Sequence, residues 1–107
     1  MSSKDITFII NSLKDNFIFA NLKDTEFEEI ISNMFTGVVK QGEYIFQQND
    51  KASCFFIIKE GIFTVEIDGS EKKILEKGAS FGELALLYNA PRSAGIKAVT
   101  NSKVWGI

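Results

Sequence analysis

The first third of the chain has the hydrophobic spacing of amphipathic helices. Apolar residues recur three and four positions apart in two stripes, which are Ile6, Ile9, Ile10, Leu13 and Phe17, and then Phe27, Ile30, Ile31 and Met34. We expect Asp5 to cap the first helix, and Asp24 or Thr25 to cap the second. Three glutamates, at positions 26, 28 and 29, fall in the first turn of the second helix, where the helix dipole favours negative charge. Gly37 ends the helical pattern.

From Val38 onward the hydrophobic period shortens to two, which is typical of β-strands with one buried face. Residues 38–50 predict a strand, a turn and a second strand. A hairpin follows, with a turn at Asp68-Gly69 and a returning strand around 73–75. The last residues predict two more strands around a turn at Asn101-Ser102. Roughly seven or eight short strands with regular turn signals favour a sandwich, jelly roll or barrel.

The chain is expected to form one domain, 1–107, in which 1–36 is the helical part and 37–107 is the β-roll. A length of 107 residues with 45% hydrophobic content suits a single core and leaves no room for a second domain of ordinary size. The sequence stops inside a strand-like segment, Trp105-Gly106-Ile107. We therefore expect this domain to be a piece of a longer protein.

The net charge and the cysteine content limit the binding partners and the cellular compartment that we expect for this protein. A net charge of −2 and a pI of about 5.1 exclude a broadly basic surface, so nucleic acid is not an expected partner. Apolar runs such as 54–58 are too short to span a bilayer, and we expect no signal peptide. Cys54 is the only cysteine, so no internal disulfide can form. These features predict a cytoplasmic protein in which the Cys54 thiol is buried and inert.

The sequence contains no histidine, which excludes several classes of enzyme. Ser-His-Asp hydrolases, Cys-His proteases and His-ligated metal sites all need that residue. Paired carboxylates flanked by apolar residues, the remaining route to acid–base chemistry, are not evident. We expect no catalytic residue, no metal and no cofactor, and a jelly-roll enzyme is disfavoured.

The stretch "FGELALLYNAPRSA", residues 81–94, places one acid and one base in an apolar loop between strands. Gly82 precedes a run of good helix formers, 83–87, which predicts a short helix whose first amides can bind an anion. Pro91 ends that helix, and Arg92 then enters the next strand. Arg92 and the amides suit one phosphate, whereas the Glu83 carboxylate suits a sugar hydroxyl nearby. A triphosphate is not favoured, because neither a P-loop nor a dinucleotide motif is present.

This stretch resembles the phosphate-binding cassette of cyclic nucleotide-binding domains, with the pattern F-G-E-L-A-x-x-x-x-x-P-R-x-A. The matching residues are Phe81, Gly82, Glu83, Leu84, Ala85, Pro91, Arg92 and Ala94. "GEYIFQQND" and "CFFIIKEGIFTV" are similar to further family motifs upstream. The resemblance covers nearly the whole chain, with two departures. Asn49 replaces a usual glycine, which it can do because it tolerates left-handed dihedrals, and Gly95 replaces a usual β-branched residue.

The resemblance implies a mainly β fold: a jelly-roll barrel with two N-terminal helices and a short helix in the cassette. It implies that Glu83 holds the ribose 2′-hydroxyl and Arg92 the cyclic phosphate. Amides of Gly82, Leu84, Ala85 and Ser93 would complete the ligand shell, next to Ala94. In the family, helices after the last strand close over the base; the sequence given stops before them, so we expect weaker binding than in a longer chain.

Ser93 carries the information about which base is bound. A hydroxyl residue at this position is similar to the pattern of cGMP-dependent protein kinases. Such a hydroxyl can accept a hydrogen bond from the guanine 2-amino group, which adenine lacks. The resemblance therefore implies an allosteric regulatory module for cGMP, with a serine/threonine kinase domain and sister nucleotide-binding domains in the parent chain. A cAMP-binding domain of a kinase or gated channel, and an interaction module that binds no nucleotide, remain alternatives.

Overall fold

The structure, a computed structural model, describes residues 2–15, 19–50, 54–82 and 91–107. The described residues form two helices and eight strands. The helices are α1 (Ser3–Lys14) and α2 (Asp24–Ser32), and the strands are β1 (Phe35–Val39), β2 (Tyr44–Phe46), β3 (Phe56–Glu60), β4 (Phe63–Ile67), β5 (Ser70–Leu75), β6 (Ser80–Phe81), β7 (Gly95–Ala98) and β8 (Ser102–Gly106). None of the helices in these ranges is long and apolar enough to cross a membrane.

Both helices form over most of the predicted apolar stripes, but Met34 lies after the end of α2, and Phe17 lies outside the described residues. The predicted caps are wrong. The Ser2 hydroxyl caps α1 by accepting from the Asp5 amide at 3.1 Å, so Asp5 lies in the first turn. Lys23 is the N-cap of α2, and Glu26 accepts from the Lys23 amide at 3.2 Å. A cap one residue earlier than predicted leaves Asp24 and Glu26 in the first turn, where the helix dipole favours them.

The strands pair into two four-stranded antiparallel sheets, with the orders β1-β8-β3-β6 and β2-β7-β4-β5. Strands that follow one another in sequence often lie in different sheets, as in a jelly roll, which confirms the predicted fold class. β1 begins at Phe35, so Gly37 lies inside a strand and does not mark its start. The strand-turn-strand at 38–50 also lies close to where the sequence predicts it. The last residues form two strands as predicted, but β7 and β8 lie in different sheets, and Ser102, a predicted turn residue, is the first residue of β8.

The β4–β5 hairpin turns at the predicted dipeptide. Asp68 and Gly69 both have positive φ, of 54° and 81°, which is the backbone that a tight two-residue hairpin requires. Asn49 also has a positive φ, of 75°, so the residue that replaces the family glycine adopts the conformation that glycine would supply. The Asn49 amide donates to the Arg92 carbonyl oxygen, and the Asp68 amide donates to Gln48 in the same turn as Asn49.

Two apolar clusters form the core. One cluster joins the helices to the first sheet and contains Ile9, Leu13, Phe19, Phe27, Phe55, Ile57 and Trp105. The other fills the roll between the two sheets and contains Ile58, Phe63, Leu75, Phe81, Ile96, Ala98 and Val104. Phe81 belongs to the second cluster, so the start of the cassette is anchored in the interior of the roll.

Candidate functional site

The start of the cassette is held by a short strand and an aromatic cluster. β6 pairs with β3, with Phe81 opposite Phe56, and the two rings stack with centroids 5.6 Å apart. The Phe81 ring also contacts Phe46 at 5.8 Å and Phe63 at 6.3 Å. Because these contacts come from three other strands, the position of Gly82, the next residue, is fixed by the core.

Arg92 is the central polar residue of the site, and it is buried. Only 7% of its surface is exposed. The guanidinium Nη2 donates to the Cys54 carbonyl oxygen at 2.5 Å, and Cζ lies 4.0 Å from the centre of the Phe46 ring. Its buried Nε has no hydrogen-bond partner within 2–15, 19–50, 54–82 and 91–107. Arg92 is therefore not a solvated residue. The prediction that it enters the next strand is wrong, because β7 begins only at Gly95.

Gly82 lies directly against this guanidinium. Its φ is +87°, in the region that side chains rarely adopt. A Cβ at this position would lie 2.6 Å from Arg92 Nη1 and 2.9 Å from the Cys54 carbonyl oxygen. The absence of a side chain at Gly82 therefore has two consequences: it permits the turn out of β6, and it lets the guanidinium reach its position.

The backbone of Arg92 is held by the turn at 47–50. The Arg92 amide donates to the Asp50 carbonyl oxygen, and its carbonyl oxygen accepts from the Asn49 amide, both at 2.8 Å. Asp50 also closes the turn, since its carboxylate accepts from the Gln47 amide at 2.8 Å. Two backbone bonds on the same residue restrict both the position and the direction of the Arg92 side chain.

Burial also sets the electrostatics of the site. Loss of solvent lowers the pKa of Arg92 below its ordinary value, while nearby Cys54 and Asp50 raise it. An arginine nevertheless stays protonated in proteins, so the site holds a positive charge with little water around it. Because an incompletely paired buried charge is costly, this arrangement favours an anion as a further partner.

Outside this site, a hydrogen bond from Tyr44 to Glu66 at 2.6 Å raises the pKa of Tyr44.

Four of the seven predicted site residues lie in the described part of the chain. Gly82 and Arg92 come together, whereas Ser93 is exposed and Ala94 is half-buried. Glu83, Leu84 and Ala85, and the predicted short helix at 83–87, lie outside the described residues. Within those residues no three carboxylate or cysteine side chains are grouped as metal ligands would be.

Sequence reasoning missed the partners of Arg92. Phe46 packs against the second core cluster, but alternation in the sequence cannot show that a guanidinium covers its ring. The Cys54 contact uses the backbone carbonyl, which no side-chain pattern reports. Cys54 itself is half-buried, so the predicted buried position is only partly confirmed. The "QND" sequence at 48–50 was the available signal for the turn that holds Arg92.

The fold, the buried arginine and the adjoining glycine agree with a family assignment. Residues 37–107 match the profile of the cyclic nucleotide-binding domain, which is more than half of the chain. The chain belongs to the cyclic nucleotide-binding domain family.

The similar proteins include a protein kinase chain and regulatory parts of protein kinases. The chain is 42% identical over 105 residues to a cGMP-dependent protein kinase of Plasmodium berghei, covering 98% of this chain but only 12% of the relative. Its fold is similar to the regulatory domain of Toxoplasma gondii PKA solved with cAMP, with a TM-score of 0.86 at 28% identity, covering 100% of this chain and 42% of that one. The cAMP-bound PfPKA-R gives a TM-score of 0.90 at 28% identity, with 100% and 40% covered.

Proposed function

We propose that this domain binds a cyclic nucleotide, with cGMP as its ligand, and that it is an allosteric regulatory module of a cGMP-dependent serine/threonine protein kinase. The observation that carries the proposal is the buried Arg92 guanidinium, held between Gly82, the Phe46 ring and the Cys54 carbonyl. A fixed, desolvated guanidinium can take two phosphate oxygens at once, which an exposed cation does less well.

The other contacts follow the family pattern in the sequence. Glu83 accepts from the ribose 2′-hydroxyl, and the amides of Gly82, Leu84, Ala85 and Ser93 complete the phosphate shell beside Ala94. The acid and the base thus address different parts of one ligand. A domain kept only for protein contacts has no need of a costly buried cation, which argues against the non-binding alternative.

The choice of cGMP rests on Ser93 and on the kinase relative. The Ser93 side chain is exposed, so its hydroxyl is available to accept from a guanine 2-amino group. The similar Plasmodium berghei chain is a cGMP-dependent protein kinase. The alternative ligand is cAMP, which is supported by the similar regulatory domains of kinases that were solved with it. The parent kinase domain and the sister nucleotide-binding domains are part of this proposal, since the chain spans a small part of the relative.

The domain would act by differential binding. It has no histidine and no evident acid–base pair, so the ligand is not altered chemically. A ligand shifts an equilibrium between conformations only by the difference between its affinities for them. The β-roll is the rigid element in this mechanism, and the segments around it move relative to it.

Titration of the domain with cGMP and with cAMP, measured by isothermal titration calorimetry, tests the proposal directly. We expect saturable binding of both nucleotides at one site, with cGMP the tighter ligand. Guanosine 5′-monophosphate serves as the control ligand, because it carries the same base but not the cyclic phosphate. Absence of binding of either cyclic nucleotide would contradict the proposed function, and tighter binding of cAMP would reassign the ligand.

Ser93→Ala tests the choice of base. We expect cGMP affinity to fall about fivefold, the effect of losing roughly one net hydrogen bond of about 1 kcal/mol. The affinity for cAMP should change by less, because adenine has no amino group at position 2. Parallel titrations of the variant with the two nucleotides measure the difference. Equal losses for both ligands would remove the case for guanine selection by Ser93.

A further inference from the structure

The side chain of Gln48 joins two elements that are far apart in sequence. Its Oε1 accepts from the Asp68 amide at 2.8 Å, and its Nε2 donates to the Asp68 carboxylate at 3.2 Å. Gln48 lies in the turn at 47–50, and Asp68 forms the tip of the β4–β5 hairpin. A side-chain amide that both accepts and donates to one residue fixes distance and orientation together.

The same turn holds Arg92 from its other side. Asn49 and Asp50, the two residues after Gln48, make the 2.8 Å backbone bonds to Arg92. Asn49 has a φ of 75°, which sharply reverses the chain at this point. The hairpin tip is therefore linked to the backbone of the buried arginine by two sets of hydrogen bonds, which the covalent backbone of 48–50 connects.

Packing between the turn and the hairpin tip is incomplete. A pocket of about 340 Å³ separates the turn from the hairpin, and its walls come from both: Tyr44, Gln47, Gln48, Asn49, Glu66, Gly69 and Gly95. Gly95, where the family usually has a β-branched residue, contributes no side chain to fill it. β7 pairs with both β2 and β4 and so fixes the sheet on which the two elements stand. Above that sheet, the turn and the hairpin tip are joined across the pocket by the Gln48 bonds, and Tyr44 and Glu66 are joined by their own bond at 2.6 Å.

We propose that Gln48 is a positioning residue for the nucleotide site, which it serves by tying the β4–β5 hairpin tip to the turn that holds Arg92. The inference rests on the proposed function for its effect on affinity. Among the residues that the structure describes, the side chain of Gln48 makes its hydrogen bonds to Asp68 and none to Arg92. Its effect on a ligand is indirect, through the direction that the turn imposes on Arg92.

Gln48→Ala should weaken binding of cGMP and of cAMP by the same factor, about fivefold to tenfold, as expected for the loss of one or two hydrogen bonds. The base is not involved, so the ratio of the two affinities should stay constant. Gln47→Ala is the matched control: within the described residues Gln47 makes its hydrogen bonds only through its backbone. Equal effects of the two alanine variants, or no effect of either, would overturn the proposal.

A compensating pair separates positioning from general loss of stability. Gln48→Glu places a carboxylate against the Asp68 carboxylate, so we expect affinity to fall at least as far as with alanine. Adding Asp68→Asn restores a donor opposite the new acceptor, and asparagine tolerates the positive φ at this position. We expect the double variant to bind within about twofold of the unaltered chain, a small residual for a restored hydrogen bond. If the affinity of the double variant stays as low as that of Gln48→Glu alone, the Gln48–Asp68 hydrogen bonds do not position the site as proposed.

Amide hydrogen exchange supplies a test that needs no ligand. In Gln48→Ala the amides of Asn49 and Arg92 should exchange about tenfold faster, because the turn that protects them opens more often. The amide of Ile58, bonded to Ala79 at 2.9 Å in the roll, should keep its rate. Unchanged exchange rates at the Asn49 and Arg92 amides would show that Gln48 does not hold the turn. If the unaltered chain binds no cyclic nucleotide, the proposed function fails while this measurement still decides the geometry.

Discussion

Replacing Arg92 by alanine should cost about 2–5 kcal/mol of cyclic nucleotide binding, or roughly 30- to 5,000-fold in affinity. The reason is geometric as well as electrostatic. The guanidinium is fixed by the Phe46 ring and the Cys54 carbonyl before a ligand arrives, so it spends little conformational entropy on the phosphate. Arg92→Lys keeps the charge but loses the paired donors, and we expect it to recover only part of the affinity.

The stability of the same variant should change much less. Burial of Arg92 opposes folding, and one hydrogen bond with one ring contact offsets that cost. We expect the free energy of unfolding to shift by no more than about 1.5 kcal/mol, as measured by urea denaturation. Lys103→Ala is the control, because it removes an exposed cation, paired with Glu60, on β8. An affinity change below about threefold would remove Arg92 from the phosphate site, since one net hydrogen bond alone is worth more.

Gly82→Ala should damage folding and binding together. A Cβ at φ +87° is strained, at a cost of about 1–3 kcal/mol, and it would also meet Arg92 Nη1 and the Cys54 carbonyl. The guanidinium is the end of a flexible side chain, so it can move away from the new Cβ. The Cys54 carbonyl belongs to the backbone just before β3, so it cannot easily move. We expect affinity for cGMP to fall at least about tenfold, because a displacement of about an ångström matters at a preorganised site. Calorimetry and urea denaturation measure the two effects.

Gly42→Ala separates strain from the steric clash. Gly42 has nearly the same φ, +86°, but a Cβ there would meet nothing within 4 Å. We expect it to lose stability through backbone strain while its affinity for cGMP stays within about twofold of the unaltered chain. If the two glycine variants lower the affinity equally, contact with Arg92 is not the reason that position 82 lacks a side chain.

The elements of the fold follow from local patterns. Apolar stripes with helical spacing produced α1 and α2, and alternation with turn dipeptides produced the hairpin at Asp68-Gly69. These features depend on neighbours within a few residues, so a single sequence contains the information. The caps were predicted one to three residues late. Asp5 and Asp24 have typical capping side chains, but the N-caps are Ser2 and Lys23, which precede them. Helix ends are settled by individual hydrogen bonds, which spacing alone does not reveal.

The candidate site divides in the same way. Its motif residues, Gly82 and Arg92 among them, can be read from "FGELALLYNAPRSA". Their setting cannot be read there, since Phe46 and Cys54 lie 46 and 38 residues before Arg92 along the chain. The carbonyl of Cys54 is an acceptor that every residue type carries, so its identity gives no signal.

By itself, the sequence determined a small acidic, mainly β domain that has no histidine and whose cassette contains one carboxylate and one guanidinium. The jelly roll was implied by the resemblance of its motifs to a known family. Only the tertiary structure decided that Arg92 is buried, that its backbone is held by the turn at 47–50, and that Gln48 ties this turn to the hairpin tip. The physical reason is that residue type and spacing specify local conformation, whereas desolvation and long-range hydrogen bonds exist only once distant segments have packed together.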